Sequence, residues 1–151
     1  MKQEDKVCSL KLSMQLRGLG VKQKSLFYWD YDSENCYAVK FMPFHCPGLE
    51  HYSAFTADEL GEMLPNHVTI EEEEPFNNFC LVIRKFNSVD EELKLINNYT
   101  VNYECDTFSL NEIPLPRRLT NNVFDKNLAN AMASMILFLV ENKLMVIPNE
   151  I

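Results

Sequence analysis

The chain has 151 residues, of which 46% are hydrophobic and 24% are charged, and its formal net charge is −8. This length and composition indicate a folded protein and exclude intrinsic disorder as its main state. The net negative charge argues against a protein that binds nucleic acid through nonspecific contacts with the phosphate backbone. We therefore expect a single domain over residues 1–151 that does not bind nucleic acid.

The first predicted element is a helix over residues 7–19. Its alternating apolar residues are also compatible with a strand. However, the segment is rich in Leu, Lys, Gln and Arg, which favour a helix. Gly18 and Gly20 lie where such a helix would end, because glycine commonly follows a helix C-terminus. We therefore predict a helix here.

A β-hairpin is predicted next, from residues 26–31 and 36–42 with a polar turn at 32–35. Its aromatic residues share one face of the paired strands: Phe27, Trp29, Tyr31, Tyr37 and Phe41. We expect this face to pack in the core beneath a helix. The alternative is a stacking platform for bases or sugars, which would need more basic residues nearby than the sequence offers.

Two capping boxes and three strands are predicted in the middle of the chain. Residues 43–51 contain two prolines and a glycine and predict a loop. Thr56 with Glu59 predicts a short helix through Met63, and Ser88 with Glu91 predicts a second one. Residues 68–73, 78–86 and 99–105 have the composition and spacing of strands.

The longest predicted helix follows Asp125, a favourable N-cap residue, and is apolar around most of its circumference. We expect it to be buried against a sheet. Residues 107–122 contain two prolines and predict an irregular connection. The fold class is therefore α+β, with a mostly antiparallel sheet of about five strands, a long buried C-terminal helix and one or two further helices packed on the sheet.

Three segments resemble a family of small uncharacterised phage and prophage proteins of bacteria. They are LGVKQKSLFYW at 19–29, SAFTADELGEMLP at 53–65 and NLANAMASMILFLVENKL at 127–144. Their order and spacing are similar to that family over most of the chain. The resemblance implies a phage-derived protein of the bacterial cytoplasm, and it implies no activity and no catalytic residue. The charged start of the chain and the lack of a long apolar run also predict a cytoplasmic protein without a membrane segment.

The residue types that bind metals occur together at Cys36, His45, Cys46 and His51. Zinc takes four such ligands in a tetrahedron, but this spacing matches no standard zinc motif. Cys46 with a neighbouring histidine is alternatively a nucleophile and its base, although residues 41–83 contain no Lys or Arg to lower the pKa of the thiol. We therefore predict no cofactor, no metal and no catalytic residue, and expect most of the five cysteines to be small core residues.

Acidic residues are concentrated between positions 41 and 83, which hold eight acids and no base. The negative electrostatic potential of such a segment attracts proteins with basic surfaces. We predict a non-enzymatic accessory protein that binds a host or phage protein through Asp58, Glu59, Glu62, Glu71, Glu72, Glu73 and Glu74. The alternatives are a small metal-binding protein or hydrolase that uses the loop Pro43–His51, and a DNA-mimic inhibitor of a host DNA-binding protein.

Overall fold

The computed structural model describes residues 2–31, 36–42, 51–70, 78–89, 91–92, 95–105, 117–119 and 123–147. In these ranges the chain forms three α-helices and eight β-strands, and every strand pair is antiparallel. The predicted α+β fold class and the antiparallel pairing are confirmed. The strands divide between two sheets, of three and five strands, instead of forming one.

Helix α1 spans Leu10–Gly18, which confirms the helical interpretation of this segment. The Ser9 hydroxyl caps its first turn by accepting a hydrogen bond from the backbone N–H of Leu12 at 3.5 Å. After the helix, Gly20 has a φ of 88°, and its N–H donates to the carbonyl oxygen of Arg17. Only glycine adopts this left-handed conformation without strain, so Gly20 ends the helix as predicted.

The smaller sheet has the strand order β2-β1-β3, where the strands are β1 (Phe27–Tyr31), β2 (Tyr37–Phe41) and β3 (Tyr52–Ser53). The predicted hairpin is confirmed. Phe27 lies opposite Phe41 and Tyr31 lies opposite Tyr37, with ring centroids 5.7 Å and 5.0 Å apart. The predicted turn at 32–35 lies outside the described residues. A strand as short as β3 is too brief to show an alternating pattern, so it was not predicted.

The aromatic face of this hairpin is not the interior, which corrects the prediction. Tyr31 and Phe41 are 53% and 57% exposed, whereas Tyr28 on the opposite face is only 2% exposed. Trp29 is half-buried, and its indole N–H donates to the carbonyl oxygen of Cys8 at 3.0 Å. Alternation along a strand defines two faces but does not determine which face meets the rest of the protein. In this hairpin, the face that carries the even-numbered residue Tyr28 packs against the rest of the protein.

Helix α2 spans Ala57–Met63, and both hydrogen bonds of its predicted capping box are present. The Thr56 hydroxyl accepts from the backbone N–H of Glu59 at 3.3 Å, and the Glu59 carboxylate accepts from the backbone N–H of Thr56 at 2.7 Å. Leu60 and Leu64 are buried. This helix therefore begins and ends where the sequence predicts, with its apolar side turned to the core.

The larger sheet follows the order β4-β5-β6-β7, and β8 also pairs with β6. Its strands are β4 (His67–Thr69), β5 (Asn78–Val89), β6 (Leu95–Cys105), β7 (Arg117–Arg118) and β8 (Val123–Asp125). The three predicted strands correspond to β4, β5 and β6, although residues 71–73 of the first lie outside the described residues. The two short strands β7 and β8 were not predicted.

The second predicted capping box does not start a helix. Ser88 lies within β5, opposite Ile96 of β6, and its hydroxyl accepts a hydrogen bond from the Asn98 side chain at 2.5 Å. The two strands pair as far as Val89 opposite Leu95. Hydrogen bonding along the whole length of a hairpin outweighs the small stabilisation that a single cap gives.

Helix α3 spans Leu128–Glu141 and contacts β6, β8, α1 and α2. As predicted, it occupies the centre of the core, where its buried residues are Ala129, Ala131, Met132, Ala133, Met135, Ile136, Leu137 and Leu139. Its N-cap is Asn127 and not the predicted Asp125, which lies at the end of β8 and accepts a hydrogen bond from the Asn127 N–H at 2.7 Å. None of the described helices has the length and hydropathy that a membrane crossing requires.

Candidate functional site

The structure separates the two described members of the predicted metal cluster. Cys36 is exposed beside the start of β2, and His51 is buried beside the start of β3. β1 lies between the strands that these residues adjoin, so their backbones are at least two strand spacings, or about 10 Å, apart. The thiol of Cys36 is at the surface, whereas the ring of His51 is in the interior. His45 and Cys46 lie outside the described residues, and in the ranges that are described no three His, Cys, Asp or Glu residues form a metal-binding group.

His51 instead approaches Asp30 of β1. The register of β1 and β3 places the two residues opposite each other, and the Nδ1 of His51 lies 3.0 Å from the Oδ1 of Asp30. By strict angular criteria neither ring nitrogen makes a hydrogen bond to a described residue, although the 3.0 Å separation is within hydrogen-bond distance. The Asp30 carboxylate also binds the ammonium group of Lys40. The hydrogen bond from Lys40 lowers the pKa of Asp30, and the nearby His51 lowers it further.

The histidine of this Asp–His pair is closed to a substrate, whereas Asp30 is partly exposed. His51 is 5% exposed, and Ser53, two residues away, is completely buried. Of the three described cysteine side chains, Cys8 is buried whereas Cys36 and Cys80 are exposed, so the expected place in the core holds for one of the three. Burial raises the pKa of the Cys8 thiol and keeps it protonated. The described residues therefore offer no accessible nucleophile next to the histidine.

Acid titration tests the contacts of Asp30. Because its folded-state pKa is lowered, its charged form stabilises the fold above the pKa of the unfolded chain, and this contribution is lost as the pH falls through the folded-state value. We expect Asp30→Asn to lower the free energy of unfolding at pH 7, and the difference from wild type to shrink below about pH 4. Urea unfolding across this pH range measures both. A difference that stays constant would contradict the ion pair.

A groove between residues 21–26 and helix α2 offers a more open site. Its volume is about 970 Å³. Its lining is mostly apolar and includes Leu26, Tyr28 and Met63. Lys22 and Lys24 line the side formed by residues 21–26, and the side formed by α2 carries Glu59 and Glu62. A concave, largely apolar surface with a few charged groups is typical of binding sites.

A second cavity of about 220 Å³ adjoins this groove. The two share Glu62 and Met63, and the smaller one is also lined by Val21, Ile136, Met145 and Ile147. The apolar surface of the groove therefore extends past α2 towards helix α3 and the residues that follow it.

Glu59 connects the two sides of the groove. Its Oε2 accepts hydrogen bonds from the Ser25 hydroxyl at 3.0 Å and from the Thr56 hydroxyl at 3.0 Å, and its Oε1 lies 3.4 Å from the backbone N of Leu26. The Ser25 N–H in turn donates to the Tyr28 hydroxyl at 3.3 Å. The carboxylate of Glu59 is therefore occupied within the protein, although the sequence predicts it only as a helix cap and a surface acid.

The predicted acidic surface is partly described. Asp58 and Glu62 are exposed, whereas Glu59 is half-buried. Residues four positions apart lie on the same side of a helix, so Asp58 and Glu62 are neighbours on α2. Glu71, Glu72, Glu73 and Glu74 lie outside the described residues. The described part of the acidic surface therefore borders the groove through Glu62.

Comparison with known proteins gives this chain no family. No protein-family model matches it, and searches of curated proteins and of solved structures return no match. The resemblance to phage and prophage proteins therefore stays a prediction. The groove has to be interpreted from its own chemistry.

Proposed function

We propose that this protein binds a segment of another protein in the groove between residues 21–26 and α2, and that it acts by binding and not by catalysis. The observation that supports this most directly is the lining of the groove, which combines apolar side chains with charged groups on both sides. Protein surfaces that receive a peptide segment use apolar pockets for affinity and polar groups for orientation.

The charges beside the groove indicate the chemistry of the segment. Glu62 and its neighbour Asp58 would attract a basic residue to the α2 side, and Lys22 and Lys24 would attract an acidic residue to the other. An apolar side chain between them would contact Leu26, which is 53% exposed. We infer a short segment with a central apolar anchor and charges of opposite sign on its two flanks. The resemblance to phage proteins would place such a partner among host or phage proteins of the bacterial cytoplasm.

A pull-down from bacterial lysate, quantified by mass spectrometry, tests this function. We expect the double variant Asp58→Lys/Glu62→Lys to recover at least about tenfold less partner than wild type, because it reverses the field on one side of the groove. Leu26→Asp should have a similar effect through the apolar surface.

The matched control reverses two other exposed acids. Glu91→Lys/Glu141→Lys changes the net charge by the same amount but lies in the β5–β6 connection and at the end of α3. We expect it to recover the partner at the wild-type level. Equal losses in both double variants would show that only the total charge matters, and unchanged recovery with Asp58→Lys/Glu62→Lys and Leu26→Asp would refute the groove.

A further inference from the structure

Along its second half, strand β5 has one edge that pairs with none of the described residues, and this edge is here called the open edge. β4 pairs with it only from Asn78 to Cys80, and the last bond on this side is from the Leu81 N–H to the carbonyl oxygen of Asn66, at 3.0 Å. From there to Val89, the described residues pair with β5 only on its β6 side. A strand edge of this length presents backbone donors and acceptors to another chain.

Apolar side chains are exposed along this edge. Ile83, Phe86 and Val89 are 42%, 37% and 54% exposed. Phe124 of β8 is 57% exposed, and its ring packs edge to face against Phe86 with the centroids 5.9 Å apart. Because side chains alternate along a strand, Ile83 and Val89 lie on one face of the sheet and Phe86 lies on the other. Both faces of the edge therefore carry apolar surface.

The odd-numbered residues of β5 direct their backbone groups to the open edge. The N–H of Leu81 points to β4, and in a strand every second residue points its N–H and C=O the same way. Ile83, Lys85, Asn87 and Val89 therefore present donors and acceptors that no described residue pairs with. The even-numbered residues of β5 direct their N–H and C=O groups to β6.

We propose that two copies of this chain pair through β5, antiparallel, about a two-fold axis at Phe86. In this register Ile83 lies opposite Val89 of the second copy and Lys85 lies opposite Asn87 of the second copy. These pairs involve the residues whose backbone groups point outward, so about eight backbone hydrogen bonds would cross the interface. The result is one continuous sheet through both copies.

Side-chain chemistry favours this register. Each exposed apolar residue of the edge meets an apolar residue, and Arg84 meets Ser88 of the second copy. At the axis the two Phe86 residues form a pair without backbone hydrogen bonds, in which side chains come closest, with Cα atoms about 4.5 Å apart. Each Phe86 ring also packs against Phe124 of its own chain. Four rings would therefore cluster on one face of the joined sheet.

The antiparallel registers nearest to this one are disfavoured. An axis at Lys85 or Arg84 would place two like charges opposite each other. An axis at Lys85 would also pair Val89 with Leu81, whose N–H is already bonded to Asn66. An axis at Asn87 would leave Ile83 without an apolar neighbour. In an antiparallel pair, two opposed residues either both direct their backbone groups to the partner strand or both direct them away from it. An axis between two residues of β5 would oppose an odd-numbered residue to an even-numbered one, so this position of the axis is excluded.

The arrangement of the edge favours a second copy as the occupant. Ile83 and Val89 are each three positions from Phe86, so the edge is complementary to itself when it pairs about that residue. Arg84 forms an ion pair with Glu104 of its own chain and Lys85 lies opposite Asn87 of the second copy, so no two like charges are directly opposed. This inference uses no residue of the proposed groove, so either proposal can fail without the other.

Sedimentation velocity tests the pairing. The wild-type chain should form a species of about twice 17.6 kDa whose fraction rises with concentration. Phe86→Lys and Phe86→Glu should each raise the dimer dissociation constant by about 100-fold or more, because two like charges would meet at the axis. An equimolar mixture of the two variants should restore the dimer, since opposite charges would then meet.

Phe41→Lys is the matched control. It places the same charge on an exposed phenylalanine of the smaller sheet and should leave the dimer intact. Circular dichroism confirms that each variant is folded. The pairing would be overturned by a wild-type chain that stays monomeric at several hundred micromolar, by dimers that persist in either Phe86 variant, by a mixture that stays monomeric, or by loss of the dimer in Phe41→Lys.

Discussion

Ile136→Ala should lower the free energy of unfolding by about 2–5 kcal/mol. Ile136 is completely buried on α3 and belongs to the same core cluster as Val101 and Tyr103 of β6. Shortening it removes apolar contacts and leaves a cavity that a helix held on several sides cannot close. Urea unfolding followed by circular dichroism measures the loss.

The control for this prediction is Val140→Ala on the same helix. Val140 is half-buried, so we expect its truncation to cost less than about 1 kcal/mol. Both substitutions leave the helix propensity at least as favourable, because alanine is the best helix former. A loss at Ile136 no larger than the loss at Val140 would contradict the central position of α3 in the core.

The elements that the sequence predicts well depend on contacts between near neighbours. Thr56 and Glu59 cap each other across one helical turn, and Gly20 ends α1 through a bond to Arg17. The stripe of apolar residues on α3 likewise repeats within the helix itself. Such signals need no knowledge of the rest of the chain, and the structure confirms them.

The same local signal is overruled where a long-range pairing competes with it. Ser88 and Glu91 have the spacing of Thr56 and Glu59, yet Ser88 lies in a strand opposite Ile96. The aromatic hairpin shows a related limit, because alternation predicts that Tyr28 opposes Trp29 but not which of them is buried. Both outcomes depend on contacts between residues that are far apart in the sequence, and a short segment does not reveal such contacts.

The groove could not be predicted either, because it is formed by residues that are far apart in the sequence. Ser25 and Glu59 are 34 positions apart, and their 3.0 Å hydrogen bond joins its two sides. The sequence predicts Glu59 and Glu62 as acids of one surface, but nothing in their spacing indicates that only Glu62 remains exposed. Glu59 both caps α2 and binds the segment 21–26, and the residues next to it in the sequence do not reveal the second role.

Glu59→Ala should lower the free energy of unfolding by about 2 kcal/mol, the second large effect that we expect. It removes half of the capping box, which contributes about 1 kcal/mol. It also leaves the Ser25 hydroxyl and the Leu26 N–H without their carboxylate partner, at a further cost of about 1 kcal/mol because the site is only half-buried. Urea unfolding measures the total, and Glu62→Ala, an exposed acid of the same helix, should change it by less than about 0.5 kcal/mol.

A double-mutant cycle with Ser25→Ala separates the contact across the groove from the helix cap. If the hydrogen bond between Ser25 and Glu59 holds the two sides together, the two substitutions should be non-additive by about 1 kcal/mol. The capping contacts to Thr56 contribute equally with and without Ser25, so they cancel in the cycle. Additive losses would mean that Glu59 stabilises only α2, and the segment 21–26 would then need another anchor to form the groove.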